Sequence, residues 1–419
     1  MRKHLAGTTV LLLCAVPLIL TQAADWPQFR GPNRDGTSSE TGLLRDWPEG
    51  GPEVLWSTPV AQGYSAAAIH SGKVYFNDYD EATSEFLVRC LTLDEGKELW
   101  RFAEKRRIRP NHAITRSVPA TDGKYVFSLD PKATFHALDA ETGKEIWRKN
   151  LVQEYETRIP PWYNGQNPLI EDDKVVIAPA GVSALVVAFD KATGKELWRT
   201  PNPEGWLLSH ASLMPATLGG VDQYLFSVLQ GTIGVSAKDG GLLWHFPFKF
   251  NVSVSPSPLV VDSERVYVTA AYDSGGVMFR VKRAGERFTT EEIFVHAASD
   301  WNSEVQTPIL FDDHIFAVGK KRRGLFTCLD LEGKQVWTSD GQAYFGLGSF
   351  LFADGMFFVL EGKTGLLRLL EASTQGYLEL ASAQILEGHD VWAPMALSDG
   401  KLVMRDLGRM VCVRVKADG

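Results

Sequence analysis

One short pattern recurs along this chain and constrains its fold more than any other feature. A short alternating run meets a turn that contains glycine, and a second run then ends in tryptophan. Glycine stands four residues before each tryptophan, and it supplies the positive φ that a tight hairpin turn needs. Each copy therefore predicts two antiparallel strands with a large aromatic side chain on the second. The copies are CLTLDEGKELWR (90–101), ALDAETGKEIWR (137–148), AFDKATGKELWR (188–199), CLDLEGKQVWT (328–338) and, more weakly, VSAKDGGLLWH (235–245).

A second pair of strands precedes each hairpin. Alternating runs with polar turns lie upstream, as in AAAIHSGKVYFN (66–77) and PLVVDSERVYVTAA (258–271), and such runs are typical of paired strands. The tryptophans from Trp56 to Trp244 follow one another at intervals of 44, 47, 51 and 46 residues. Four strands in a repeat of this length are typical of β-propeller blades. The sequence has no helical periodicity.

Eight such units fit the chain, and the two ends of the chain share the last one. The eighth unit stops after three strands at residues 411–417, while PEVLWS (52–57) carries the closing tryptophan. We predict an all-β fold: a single eight-bladed β-propeller of four-stranded antiparallel blades, the last closed by the N-terminal strand, without free sheet edges. In the fifth and seventh units, Phe294 and Leu380 are predicted to replace the tryptophan. The first strands are predicted to start near Ser65, Thr115, Gln166, Ser212, Ser255, Glu304, Gly348 and Ala393.

The N-terminus has the three parts of a secretory leader. A basic start is followed by an uncharged apolar run over 5–20 and by small residues before a cleavage site after Ala23. This run is too short for a membrane span, and the leucines before Cys14 do not match a lipoprotein signal. We expect a signal peptide over 1–23, an N-terminal extension over 24–52 and the propeller over 53–419. The protein is then periplasmic or secreted, without lipid anchor or membrane span.

Charge and cysteine content exclude other classes of function. The net charge is −8, and removal of Arg2 and Lys3 with the leader leaves a value near −10, whereas nucleic acid requires a basic face. Beyond the leader the chain has three cysteines that are far apart in sequence, Cys90, Cys328 and Cys412. Because their number is odd, we expect small buried side chains and no disulfide framework. The histidines do not have the spacing of a zinc site, so we expect no such metal site. The sequence also lacks the Cys-x-x-Cys-His motif that attaches haem covalently.

The repeat resembles a known motif. Ala-x-Asp-x-x-Thr-Gly-x-x-x-Trp, as it stands from Ala137 to Trp147 and from Ala188 to Trp198, is similar to the tryptophan-docking motif of propellers of the pyrroloquinoline-quinone (PQQ) type. WPQFRGPNRDGT (26–37) resembles the start of exported PQQ-like repeat proteins, and the resemblance covers essentially the whole mature chain. It implies that a set of tryptophans packs between neighbouring blades in a structural role: Trp56, Trp100, Trp147, Trp198, Trp244 and Trp337.

This resemblance leaves two branches of the superfamily open. Quinoprotein dehydrogenases hold PQQ and Ca²⁺ over the propeller axis, oxidise alcohols or sugars, and characteristically carry adjacent cysteines beside the cofactor. BamB-like propellers are non-catalytic protein-binding scaffolds of the envelope. The chain has no adjacent cysteines, which weighs against catalysis, although some sugar-oxidising relatives also lack them.

One face of the predicted propeller concentrates aromatic and polar residues. If strands A to D of each blade run outward from the axis, the D-to-A and B-to-C connections emerge together on the face where this family binds its ligands. Aromatic rings beside polar groups suit a planar or sugar-like ligand. The candidate binding residues are Tyr64, His112, Trp162, Asn164, His210, Tyr272, Trp301, Asn302 and Trp392.

Charged residues on this face are weaker candidates. The basic runs Lys105–Arg109 and Lys320–Arg323 predict either an anion-binding patch or solvated loop charge. A quinone oxidase needs a carboxylate base, but the available carboxylates have no diagnostic spacing, so we assign no catalytic residue. These carboxylates are Asp78, Asp300, Glu304 and Asp406.

We therefore expect an exported, non-catalytic PQQ-like propeller that acts as a monomeric protein- or ligand-binding scaffold in the cell envelope, without a cofactor. The expected partners are envelope or secreted proteins and glycans, and not nucleic acid. Two alternatives stay open: a PQQ- and Ca²⁺-dependent oxidoreductase of an alcohol or sugar, and a glycan-binding accessory protein. The segment from Trp26 to Thr37 is expected to plug or rim the channel, for stability or for a partner.

Overall fold

The structure is a computed structural model that describes residues 25–319 and 324–417. The predicted leader over 1–23 and the basic run Lys320–Arg323 lie outside the described residues. The described residues form eight antiparallel sheets of four strands, one of which carries an additional strand. The predicted eight-bladed β-propeller is confirmed.

Two short strands, β1 (Thr37–Ser38) and β2 (Val54–Pro59), precede the blades. The first four blades then follow in chain order. Blade 1 contains β3 (Ala68–His70), β4 (Lys73–Asp80), β5 (Glu85–Thr92) and β6 (Glu98–Lys105). Blade 2 contains β7 (Ala120–Thr121), β8 (Tyr125–Leu129), β9 (Thr134–Asp139) and β10 (Glu145–Asn150), and helix α1 (Leu151–Tyr155) follows it. Blade 3 contains β11 (Leu169–Glu171), β12 (Lys174–Ile177), β13 (Val187–Asp190) and β14 (Glu196–Arg199). Blade 4 contains β15 (Met214–Leu218), β16 (Val221–Val228), β17 (Gly231–Ser236) and β18 (Leu242–Pro247).

The second half of the ring repeats this order. Blade 5 contains β19 (Leu259–Val260), β20 (Arg265–Ala270), β21 (Gly275–Ala284) and β22 (Arg287–His296). Blade 6 contains β23 (Ile309–Phe311), β24 (His314–Gly319), β25 (Leu325–Leu329) and β26 (Gln335–Thr338). Blade 7 contains β27 (Phe350–Ala353), β28 (Met356–Leu360), β29 (Leu366–Glu371) and β30 (Glu379–Gln384). Blade 8 contains β31 (Ala396–Ser398), β32 (Lys401–Arg405) and β33 (Arg409–Arg414), with β2 as its fourth strand.

The ring closes as predicted, because β2 pairs antiparallel with β33 and places Trp56 opposite Cys412. This closure joins the two ends of the chain in one sheet. Strand β1 is the additional strand: it runs parallel to β27 at the edge of blade 7.

The first strands begin two to five residues after their predicted starts; β7, for example, begins at Ala120 instead of Thr115. The preceding residues bond sideways to the next blade instead of within their own sheet. Asn167 Oδ1 accepts from Val118 N at 2.5 Å, Ser212 Oγ accepts from Asn167 N at 3.0 Å and Ser257 Oγ accepts from Ser212 N at 3.2 Å. These bonds link blades 2 to 5 around the channel.

A short helix also departs from the prediction, since the sequence has no helical periodicity. Helix α1 exists because Asn150 caps it: its side chain accepts from Gln153 N at 3.1 Å, and its own N–H donates to Glu154 at 3.0 Å. A cap of this kind stabilises one turn, which is too short to produce a periodic pattern. None of the helices in the described part of the chain is long and apolar enough to cross a bilayer.

A β-bulge accompanies the docking position in every blade. One residue of the fourth strand is skipped in the pairing just before that position, as Ile146 is between Glu145 and Trp147. A bulge re-aims side chains: Ile146 is 43% exposed, while Trp147 packs on the turn of the next blade. A Cβ added to Gly194 in that turn would lie 2.7 Å from Trp147, so the turn needs glycine.

The bulge corrects one prediction. Phe294 does replace the tryptophan in blade 5, where it pairs with Met278 and packs on Gly333. In blade 7, however, Ala381 occupies the docking position, and Leu380 is the skipped residue, so that prediction is wrong by one residue. A docked aromatic there would need a hairpin turn in blade 8, but β33 and β2 come from opposite ends of the chain and have no such turn between them.

The same register explains the cysteines. All three described cysteines are buried and free, as expected. Each takes the place of the motif's small residue and pairs directly with a docking tryptophan: Cys90 with Trp100, Cys328 with Trp337 and Cys412 with Trp56.

The segment from Trp26 to Thr37, here called the plug, packs at the channel against residues that precede the first strands of several blades. Arg34 is fully buried and donates to the carbonyl oxygens of Leu213 at 2.9 Å, Pro168 at 2.7 Å and Asn167 at 3.2 Å. Arg30 donates to Thr307 O at 2.8 Å. The planar guanidinium suits such convergent acceptors, and the two side chains tie the segment to blades 3, 4 and 6.

Candidate ligand-binding site

The connections into the first strands meet at one end of the axis and enclose a cavity of about 360 Å³. All eight connections contribute; Phe29 of the plug and Ala271 and Tyr272 of the β20–β21 connection join them. The volume lies within the range of about 300–1,000 Å³ that is common for small-molecule sites. The lining residues from the eight connections are Tyr64, His112, Arg116, Trp162, Gly165, Asn167, His210, Ser253, Ser255, Glu304, Val305, Gln306, Leu347, Trp392 and Pro394.

Two stacked aromatic pairs form much of the wall. Trp162 and Tyr272 have ring centroids 5.7 Å apart and planes 10° apart, and Tyr64 and Trp392 are 5.3 Å and 12° apart. Trp162 and Tyr272 both have left-handed backbones, with φ of 64° and 55°. Bulky residues adopt this conformation at a cost of about 1–3 kcal/mol, and such strain concentrates at functional sites.

Arg116 holds the wall together on one side. Its guanidinium carbon lies 5.7 Å from the centroid of the Tyr64 ring, and Nη2 donates to Asn111 O at 2.9 Å. Burial lowers the pKa of Arg116 to about 10, so the side chain stays charged at neutral pH.

His210 is a neutral part of the wall. Burial lowers its pKa to about 4, with a smaller effect from Arg116. Nε2 lies 2.8 Å from the Pro161 carbonyl oxygen, which only accepts, so this nitrogen carries the proton. Nδ1 therefore accepts from the Ser253 hydroxyl at 2.7 Å.

Six of the nine candidate residues line the cavity: Tyr64, His112, Trp162, His210, Tyr272 and Trp392. Asn164, Trp301 and Asn302 lie outside it and are buried. Asn164 Oδ1 accepts from Gln166 N at 3.1 Å within its own connection, and Asn302 Nδ2 donates to Ala270 O at 3.0 Å at the end of β20, so both amides have structural partners. Trp301 packs 6.0 Å from Tyr267 in the core between blades.

Other lining residues were not among the candidates. Arg116, Asn167 and Gln306 lie at the ends of connections, shortly before the first strands of their blades. The sequence predicts these strands to begin earlier, so it assigns the three residues to strands and not to the mouth. Phe29 lies in the plug, and no local pattern places it at the mouth. Glu304, which the sequence offers only as a candidate carboxylate base, lines the cavity.

The other charged candidates have structural partners. Asp78 pairs with Arg89 at 2.9 Å, and Asp406 accepts from Arg409 N at 2.8 Å in the β32–β33 turn. In the first basic run, Arg106 lies 2.7 Å from buried Asp130, so the charge of this arginine is already paired with a carboxylate.

Asp130 belongs to a charged network between blades 1 and 2. Ligand atoms of Glu104, Asp130 and His136 lie within 4.8 Å of one another, which is close enough for a metal ion. The Arg106 guanidinium already supplies a cation there, and His136 Nδ1 lies 2.9 Å from Glu145. We interpret the network as an ionic link between blades.

Comparison with known proteins gives a family match. Residues 84–339 match the family model described as "Outer membrane protein assembly factor BamB". The solved structure of BamB from Moraxella catarrhalis superposes with a TM-score of 0.61 over 88% of this chain and 98% of that chain, at 16% identity. Quinohemoprotein alcohol dehydrogenase from Comamonas testosteroni gives 0.63 over 94% and 81%, at 12% identity. At these identities the superpositions show a common fold.

Curated relatives match over shorter segments. Quinohemoprotein alcohol dehydrogenase ADH IIB of Pseudomonas putida is 34% identical over 142 residues, 31% of this chain and 19% of that protein. The 1-butanol dehydrogenase (cytochrome c) of Thauera butanivorans is 29% identical over 127 residues, 28% and 18% of the two chains. The matches thus span less than a fifth of these dehydrogenases. The family match covers more than half of the chain, and we conclude that the chain belongs to the BamB-like family of PQQ-repeat propellers.

Proposed function

We propose that this chain is an exported, non-catalytic binding propeller whose axial cavity takes an uncharged, hydroxyl-rich ring, a sugar unit of a glycan, at the cell envelope. The observation that carries the proposal is the alternation of aromatic rings with amide and hydroxyl groups around one cavity. The apolar faces of a sugar ring pack on aromatic side chains, and its hydroxyl groups exchange hydrogen bonds with polar ones. Ser255 provides a hydroxyl beside Trp162 and Tyr272. Gln306, whose Nε2 donates to Leu347 O and Trp392 O, provides its amide oxygen.

The charges of the lining residues do not fit PQQ with Ca²⁺. PQQ carries three carboxylates, and among the described lining residues Arg116 is the one guanidinium or ammonium group. Ca²⁺ takes 6–8 oxygen ligands, with carboxylates prominent among them, and Glu304 is the one carboxylate of the lining. We therefore derive no oxidation step, and we assign no residue a catalytic role.

The family description supports a second candidate, an envelope protein as partner, since it names an assembly factor. A peptide segment with an aromatic side chain would use the same mouth. A sugar is favoured because the walls of the cavity are both polar and aromatic. In addition, connections from every blade surround the cavity, and such an enclosed shape suits a compact ligand more than an extended chain.

Calorimetric titration of residues 24–419 with a panel of neutral monosaccharides and oligosaccharides tests the proposal. Two tyrosines of this face form a matched pair: Tyr272 is 43% exposed and lines the cavity, and Tyr344 is 42% exposed and does not. We expect Tyr272→Ala to weaken sugar binding about tenfold, since loss of a stacked ring costs about 1.5 kcal/mol. Tyr344→Ala is expected to bind like the unmodified chain.

Two results would contradict the proposal. One is that no sugar of the panel binds. The second candidate, a protein partner, is then tested by measuring the binding of a displayed peptide library to the same variants. The other is that both tyrosine variants bind a sugar equally well, which would move the site away from the axial cavity.

A further inference from the structure

A second cavity adjoins the axial one. It measures about 440 Å³ and is lined by residues of four connections, those before β3, β7 and β31 and the turn between β32 and β33. These elements belong to blades 8, 1 and 2, so this cavity lies to one side of the axis. Its lining includes three polar or charged residues that do not line the axial cavity, Gln62, His389 and Asp390.

Tyr64 and His112 line both cavities and form the wall between them. The Tyr64 ring is held on one side by Trp392 at 5.3 Å and is also in contact with the Arg116 guanidinium at 5.7 Å. His112 and Ala113 have left-handed backbones, with φ of 48° and 70°. Because Tyr64 and His112 border both cavities, a ligand that extends past them enters the second cavity.

We propose that the two cavities are adjoining subsites for a ligand of at least two linked sugar units, a disaccharide or longer glycan. The inference rests on the proposed function and deepens it. The first unit packs among the aromatic rings of the axial cavity. The second crosses the Tyr64–His112 wall and meets the amide of Gln62, which donates to and accepts from hydroxyl groups, and the carboxylate of Asp390, which accepts from them.

Glycine allows the second cavity to be filled without disturbing the first. Gly408 lines the second cavity, its φ lies outside the left-handed region, and an added Cβ would meet only Asp406 Oδ1, at 3.8 Å. We therefore expect Gly408→Phe to place a ring in that cavity. Gly376 provides the matched control: its φ is also outside the left-handed region, an added Cβ meets nothing within 4 Å, and it lies in the β29–β30 turn away from the mouth.

The experiment compares Kd values of a monosaccharide from the panel with those of its disaccharide and trisaccharide, by calorimetry. For the unmodified chain and for Gly376→Phe, we expect the disaccharide to bind about tenfold tighter than the monosaccharide, because the second contact is intramolecular. Gly408→Phe is expected to reduce this gain to about twofold or less and to leave monosaccharide affinity unchanged, which also shows that the variant is folded.

Equal affinity for monosaccharide and disaccharide would overturn the inference and leave the proposed function in place. So would a Gly408→Phe variant that keeps the full gain. If no sugar of any length binds, the proposed function fails and the inference fails with it.

Discussion

Replacement of Trp147 by alanine measures how much one docked tryptophan contributes to the ring. Trp147 packs 5.6 Å from Phe135 and 6.0 Å from Phe189 of the next blade, and its Nε1 donates to Lys191 O at 2.9 Å. Truncation of a buried tryptophan costs about 3–5 kcal/mol. Trp147 is only partly buried, so we take about 3 kcal/mol for packing and about 1 kcal/mol for the hydrogen bond.

Differential scanning calorimetry of Trp147→Ala and Ile146→Ala tests this value. At about 2 cal/mol/K per residue, the entropy of unfolding of this chain is about 0.8 kcal/mol/K, so a loss of about 4 kcal/mol lowers Tm by about 5 °C. Ile146 is the neighbouring bulge residue and is exposed, so its truncation is expected to change stability by less than about 0.5 kcal/mol. If both variants lose stability equally, the docking argument is refuted.

Three further perturbations address the pH response, the plug and the seventh blade. Because the pKa of His210 is about 4 in the folded protein and about 6.5 when unfolded, the unfolded chain binds more protons between these values. The free energy of unfolding should therefore fall as pH decreases from about 6.5 to 4, by up to about 3 kcal/mol; urea melts of His210→Gln should lack this component, and an unchanged pH slope would contradict the assignment. Arg34→Leu removes the donor to three carbonyl oxygens of blades 3 and 4 and should cost about 3 kcal/mol in urea melts. Arg45→Leu, which removes an exposed ion pair with Glu371, should cost less than about 1 kcal/mol; equal losses would argue against the plug as a tie between blades. Ala381→Trp should not raise Tm, because no hairpin turn of blade 8 receives the ring, and a clear rise would show that a partner exists.

Most of the fold was predictable because the repeat combines local signals. Each copy contains its turn glycine, its alternating strands and its tryptophan within about a dozen residues. Trp56 marks β2 as the missing strand of blade 8 in the same way. The wrong prediction at Leu380 has a local cause. A bulge shifts the side chains by one residue, so the docking position is occupied by Ala381, although Leu380 is the larger apolar residue in the sequence.

The site was predictable only in part, because its residues come from connections whose paths depend on distant contacts. Trp162 and Trp392 lie on the expected connections and reach the cavity. Trp301 is equally aromatic and lies on an equivalent connection, yet it packs in the core beside Tyr267. Phe29 reaches the mouth because Arg34 anchors the plug to residues more than 130 positions away in sequence, and no local pattern reports such contacts.

We propose that the axial mouth binds a sugar and not PQQ. Parallel titration of residues 24–419 with the sugar panel and with PQQ plus Ca²⁺, followed by calorimetry, tryptophan fluorescence and a dye-linked oxidation assay, tests it most directly. We expect sugar binding that Tyr272→Ala weakens, and no PQQ binding up to about 1 mM, which corresponds to a free energy weaker than about −4 kcal/mol. Saturable PQQ binding with reduction of the dye would contradict it and identify the mouth as the active site of an oxidoreductase.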